Sequence, residues 1–373
     1  MNYSVHLAVP DAAVAEIVAL NAIPTTWDKD WTDLAHHASE PNPFAECWFM
    51  RPAICHLAAQ ANARMVAVWQ GKLLLGLIPL ELASRYGRLP IQHVQNWVHY
   101  HCFYGAPLIR AGQEHVFWTA VLALLDADSW ASNFLHIVGL DPKSPVIASL
   151  RDIRSTDIVH RSARALLQSD LDPADYYTAN VRPKKRKEIR RLRSRLDELG
   201  AVEFTSLDAD GSVDRWINEF LTLEASGWKG REGSALGGTA STKSFFEAAV
   251  RGAHCAGRLE MLRLTLDSKV IAMLINFMTP PGGFAFKIAF DEDYARFSPG
   301  VLIKIENLKV LGRAEIDWMD SCAVEDHPMI NSLWAERRDI VRVTVPLAGA
   351  RRKTIFRGAR LIEQTAAWVR GRR

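Results

Sequence analysis

The sequence contains no apolar run near the roughly 18 residues that a membrane-spanning helix needs. Its longest, 270–278 (Val-Ile-Ala-Met-Leu-Ile-Asn-Phe-Met), has the length of a buried strand. No basic segment followed by an apolar one opens the chain, so no secretory signal is read and a cytoplasmic location is the default. Cysteine is scarce. Cys47, Cys55, Cys102, Cys255 and Cys322 form no C-x-x-C pair, which argues against a disulfide framework or structural zinc. Of the 12 histidines, none stands at H-E-x-x-H or comparable ligand spacing, so no metal is expected.

What is present reads as globular: 49% hydrophobic and 23% charged residues in 373, a length that suits two domains. The net charge of +3 conceals two basic segments. Residues Arg182–Arg195 hold nine Lys/Arg against one acid, and Arg351–Arg373 hold eight against one. The remainder is therefore acidic. Two basic elements on an acidic body imply an anionic partner, whether a membrane surface, nucleic acid or a charged substrate, with nucleic acid not favoured. Each also has a plainer reading, as a solvated helix face and as a C-terminal helix packed on the second domain.

Along the chain, residues 1–42 read as a helix-bearing lead-in, and a helix is expected from Pro43 to Ala59. Arg64–Trp69 and Leu73–Leu80 flank Gln70-Gly-Lys72, a hairpin signature. A strand near Gln95–Val98, a helix over Glu114–Leu125 and a strand at Phe134–Val138 follow. Residues 150–175 look irregular, and Pro183 opens a basic helix with Ile189, Leu192, Leu196 and Leu199 as its apolar stripe. The pattern then recurs. A strand at 202–205, a helix over 213–226, a glycine-rich loop, a helix over 241–255 and the strands 259–266, 270–278 and 284–290 are expected. Beyond them come a helix from Pro299 to Leu311, a strand Glu315–Asp320, a helix around Asn331–Arg338 and a strand 340–345. This succession predicts an α/β fold with mixed sheets flanked by helices.

The stretch that gathers chemistry runs from Phe284 to Gly312. Phe284, Phe286, Ile288 and Phe290 alternate as a strand, and Pro299 begins a helix after the loop Arg296-Phe-Ser-Pro-Gly-Val. A short loop between strand and helix aims backbone N–H groups outward, where the helix dipole favours an anion such as phosphate. Gly300 allows close approach. Further titratable groups crowd into Asp320-Ser-Cys-Ala-Val-Glu-Asp-His327.

Arg296-x-Ser-Pro-Gly-Val resembles the pyrophosphate loop of the GNAT acyltransferases. Together with Leu223–Gly230 and Lys287–Ala295 it resembles the bacterial FemAB-like, cellulose-biosynthesis-type acetyltransferases, which carry two GNAT-like folds in tandem. The resemblance implies a first GNAT-like half at 1–150 without a phosphate loop and a crossover with the basic helix at 151–200. It implies a catalytic half at 201–347 and a basic tail at 348–373. It also implies acyl-CoA as co-substrate, lying on Ile288, Ala289, Arg296, Ser298, Gly300, Val301 and Leu302. An amine then attacks the thioester directly in a ternary complex.

Proton transfer falls to His327 supported by Asp320, or to Glu224; His327 also reads as a loop histidine, and Glu224 as a capping residue. Trp228, Lys229 and Arg231 read as a lid over the acceptor or as a glycine-rich surface loop pinned by one buried tryptophan. Lys287 either snorkels to the rim or meets an anion in the cleft; it and Cys322 are expected among the substrate-binding residues, with Cys322 not expected to carry an acyl group. Residues 327–338 resemble chains of the bacterial ceramide synthase-like branch, which implies a lipid amine or an envelope glycan amine as acceptor and a peripheral membrane position. The alternatives are an aminoacyl-tRNA-dependent FemAB-type ligase and a non-catalytic polysaccharide-assembly module.

Overall fold

A computed structural model describes residues 12–59, 62–207 and 211–370, the last five as backbone only. Arg372 and Arg373 of the basic tail and residues 1–11 of the lead-in lie outside the described residues. In chain order the strands begin with β1 Val14–Ala19, β2 Ala63–Gln70, β3 Leu73–Ala83, β4 His93–Asn96, β5 Leu108–Ile109 and β6 Phe134–Leu140. They continue with β7 Asp157–Leu167, β8 Val202–Ser206, β9 Leu259–Leu266, β10 Lys269–Thr279, β11 Gly282–Phe290, β12 Trp318–Asp320 and β13 Glu336–Pro346. The helices are α1 Asp28–His36, α2 Cys47–Leu57, α3 Glu114–Ala127, α4 Pro145–Ile153, α5 Pro173–Asn180 and α6 Pro183–Asp197. Then come α7 Val213–Ser226, α8 Trp228–Arg231, α9 Ala240–Cys255, α10 Pro299–Glu306, α11 Pro328–Asn331 and α12 Ala350–Arg370.

The chain divides into two compact units that interleave in sequence. Unit 1 takes Met1–Ala45, Ala61–His160 and Val341–Arg373, and unit 2 takes Glu46–Gln60 and Arg161–Ile340. The strand order within unit 1 is β1-β2-β3-β4-β6 followed by the 341–346 part of β13. Within unit 2 it is β8-β9-β10-β11-β12 followed by the 161–167 part of β7. Each unit has one parallel pair, β4 with β6 and β11 with β12, set among antiparallel neighbours. The two halves thus repeat one topology, with helices packed on a mixed sheet as the hydrophobic patterning requires.

This differs from a consecutive division at 150 and 200. Helix α2 belongs to unit 2, where Phe49 meets Phe245 of α9 and Phe286 of β11 at ring separations of 5.3 and 5.9 Å. The basic helix α6 also belongs to unit 2, held by buried Ile189 and Leu196, while Leu199 falls beyond its end and is exposed. The tail helix α12 packs on unit 1. Its Phe356 and Ala359 join Tyr86 and Phe134, so the expected seat on the second domain is corrected.

Other elements are revised too. Residues 150–175 are not irregular: α4 ends at Ile153, β7 spans 11 residues, and Asp172 caps α5 through the Ala174 and Asp175 amides. The helix expected around Asn331–Arg338 is only α11, and Glu336 already opens β13. The lead-in carries strand β1 besides its helix. Among the described residues no helix is long and apolar enough to cross a membrane.

Candidate active site

In each unit the parallel pairing ends after two or three residues, and the region beyond is treated differently. In unit 1, Val94 and Gln95 pair with Leu135 and His136, and the region beyond is filled by the chain itself. The Asn96 side-chain amide donates to the Gly105 and Val138 carbonyls, each at 2.9 Å, and accepts from the Val138 N–H at 2.9 Å. A Cβ on Gly105 would stand 2.1 Å from the Val138 oxygen, so only glycine fits there.

In unit 2 the pairing ends at Phe284 with Asp320, and the chain leaves through Cys322, whose φ is +52°. Residues 285–290 of β11 run on beyond the end of β12. A bulge between Ile275 and Asn276 of β10 leaves Phe286 as the extra residue of β11 and re-aims Lys287.

Helix α10 begins against this strand. A Cβ on Gly300 would lie 3.4 Å from the Phe290 ring and 3.7 Å from Ile288. Gly300 is buried, and its N–H has no acceptor among the described residues, whereas the Val301 and Leu302 amides bond the Ser298 carbonyl. Ser298 turns the corner in the left-handed region at φ +53°. Arg296 is exposed, its guanidinium 4.7 Å from the Phe297 ring. The loop therefore offers one buried amide, a helix start and one free-standing cation to an anion.

Along the same strand, Glu224 of α7 is buried and accepts from Lys229 Nζ at 2.9 Å and from the Leu236 amide at 2.8 Å. Lys229 Nζ also donates to the Ile288 carbonyl at 3.3 Å. Together these groups border a cavity of only about 30 Å³ beside Ile288 and Ala289. Lys287 is held down at about 8 by burial and then by the Lys229 charge, with Glu224 and Cys322 easing the shift.

The segment 228–231 is a short helix, pinned by an acid rather than by a buried tryptophan. Glu292 accepts from the Trp228 amide at 2.7 Å and pairs with Arg231 at 2.5 Å, while the Trp228 side chain is exposed.

Asp320 is fully buried and does not orient His327. Its carboxylate takes Arg338 Nη1 at 3.3 Å, Arg164 Nη1 at 3.5 Å and the Cys322 amide at 2.7 Å. It shapes the exit from β12. His327 stands at the N-cap position of α11 without a side-chain capping bond, and its Nδ1 is buried without a hydrogen-bond partner. Burial and the Asp320 carboxylate push the Cys322 thiol well up, which disfavours a nucleophilic thiolate.

Three residues escaped the sequence reading. Lys304 is buried in α10 with its ammonium 5.5 Å from the Trp334 ring, and burial holds it at about 8. Gly300, Lys304 and Leu308 share one helical face, so the i, i+4 spacing carries that signal. Arg338 stands two residues before Ile340 on the inward face of β13, a cation in an apolar alternation. Arg164 left no comparable trace.

Each unit thus sets one parallel pair among antiparallel strands, and unit 2 adds a strand–loop–helix turn that opens on the buried Gly300. Residues 183–327 match the family model described as "Acetyltransferase (GNAT) domain", so this part of the chain carries a GNAT acetyltransferase domain. The sequence matches no curated protein. Among solved structures it is similar to FemX, with 10% identity, 90% of this chain and 98% of that chain covered, and a TM-score of 0.57. A conserved protein of unknown function from Bacteroides thetaiotaomicron gives 13% identity, 87% and 98% coverage and a TM-score of 0.51. The C-terminal domain of a putative lysylphosphatidylglycerol synthetase from Agrobacterium fabrum gives 12%, 90% and 95%, and 0.50. At these identities the likeness is one of fold.

Proposed function

We propose that the protein transfers an acyl group from acyl-CoA to a primary amine, with chemistry confined to unit 2. The observation that carries this reading is the contrast beyond the parallel pairs: unit 1 fills that region with Asn96, while β11 runs past β12 beside a helix that opens on glycine. The residues fit the co-substrate in that Gly300 supplies a buried amide without an acceptor and Arg296 a cation for a pyrophosphate. Ser298, Val301 and Leu302 shape that turn. The Ile288 N–H lies on the same strand edge as the carbonyl that Lys229 holds, and is the donor best placed to polarise a thioester carbonyl. Ala289 continues that edge.

The cavity there is small, so Lys229, Trp228 and Arg231 move aside when the thioester enters. The amine loses its proton to His327 or to neutral Lys287, the nitrogen attacks the carbonyl carbon, and the thiolate of CoA leaves. Glu224 positions Lys229, and Asp320 positions the Ser321–Cys322 turn. No acyl-cysteine forms. For the acceptor we retain a lipid amine or an envelope glycan amine, with exposed Arg351, Lys353 and Arg357 of α12 and Lys184, Lys187 and Arg190 of α6 available to an anionic leaflet at the cytoplasmic face. Calorimetry with acetyl-CoA and palmitoyl-CoA tests the donor, and mass spectrometry of amine products the reaction. Absence of binding by either thioester, with transfer from aminoacyl-tRNA instead, replaces this reading by the ligase.

A further inference from the structure

We propose that unit 1 holds a second ligand site, for a phosphate ester that carries an apolar chain, in the cavity of about 1000 Å³ bordered by α12. That volume matches ligand pockets, which run to about 1,000 Å³. Charge sets the sign of the ligand. Arg85, Arg88 and Arg342 line the cavity, and its one lining acid, Glu363, is already engaged by the Tyr86 hydroxyl at 2.7 Å and by Arg360. Among the described residues neither Arg88 nor Arg342 has a carboxylate partner.

His136 adds a polar ring to the lining. It is 7% exposed, lines the cavity, and its Nδ1 is buried without a hydrogen bond. Burial and the neighbouring His93 and Arg342 keep it neutral, with a pKa of about 3. A buried polar atom left unmatched costs free energy until a ligand or water satisfies it.

Two apolar side chains of α12 join the lining. Leu361 and Ile362 are 65% and 52% exposed and line the same cavity. The helix that presents them is anchored: Arg352 donates to four carbonyls, among them Ala131 at 2.7 Å, and Arg360 meets Asp157 at 2.8 Å. A wall so fixed presents its two apolar side chains beside the arginines, and one ligand with both characters meets both. The site is independent of the acyl-transfer chemistry, whose residues all lie in unit 2, and uses none of the α12 cations offered above to a leaflet.

Calorimetry with octyl phosphate below its micelle-forming concentration tests it, with inorganic phosphate and octanol as the two half-ligands. Octyl phosphate is expected to bind at least tenfold more tightly than either. Exposed Arg88 and Arg342 replaced together by Ala, and separately Leu361→Asp, each weaken it at least tenfold with no change in Tm. Flotation with phosphatidic acid vesicles then separates the sources. Co-flotation lost in the double arginine variant assigns a bilayer lipid, and binding of octyl phosphate without flotation assigns a soluble phosphorylated amphiphile. Octyl phosphate that binds no better than inorganic phosphate, or equally well in both variants, overturns the proposal.

Discussion

Asn96 and Val138 are bonded in both directions, the side-chain amide donating to the Val138 carbonyl and accepting from the Val138 N–H, each at 2.9 Å. Asn96→Ala strands those two backbone groups and the Gly105 carbonyl. A loss of about 2–4 kcal/mol is expected in denaturant unfolding, several times that of a surface change. Acyl-CoA affinity per folded molecule is expected to stay level, because the fill belongs to unit 1.

Acyl-CoA binding is expected to fail at α10. Gly300→Leu drives a side chain into Phe290 and Ile288, and Arg296→Glu reverses the exposed charge. Each is expected to weaken binding at least tenfold, about 1.4 kcal/mol, by calorimetry. Unchanged affinity in both removes the pyrophosphate from this loop.

The pH profile separates the two proton acceptors. If neutral Lys287 accepts the proton, kcat/KM rises up to and through about pH 8, and Lys287→Met abolishes that limb. A limb that persists in Lys287→Met, with activity lost in His327→Gln, assigns the role to His327.

Lys304 gives a stability signature of known sign. Its folded pKa of about 8 lies below the ordinary lysine value of about 10.4, so between these the unfolded chain holds more protons and stability rises with pH. Lys304→Met is expected to exceed the parent in stability below about pH 8, by a margin that shrinks toward about pH 10.4. Paired urea titrations at several pH values check it.

Asp320 is the reverse case. Asp320→Ala leaves Arg164 and Arg338 facing one another in the interior, and a loss of about 3–5 kcal/mol is expected. The change in Tm reads it directly.

The alternation of Phe284, Phe286, Ile288 and Phe290 and the proline at the start of α10 made the strand–loop–helix unit legible before any coordinates. The hairpin at Gln70–Lys72 of the first half was equally legible. What stayed hidden depends on contacts distant in sequence. Asp320 looked like a partner for His327 because seven residues separate them, yet its carboxylate is claimed by Arg164 and Arg338 from other strands. Trp228 looked buried because large aromatics usually are, whereas Glu292, 64 residues away, holds that turn by its amide. Residues 157–167 carry histidine, serine and arginine among their apolar groups, so propensity alone missed β7.

The interleaving of the two units bears on how a ribosome can release this chain. Unit 1 includes Val341–Arg373, so its sheet lacks its last strand, and its Tyr86–Phe134 cluster lacks Phe356 and Ala359, until the chain has been synthesised past the whole of unit 2. The usual order, in which the first half of a nascent chain folds and then waits for the second, is closed to it. The earlier-made half is completed last, and during elongation it exposes an unpaired β6 edge of the kind that other chains, or chaperones, readily occupy.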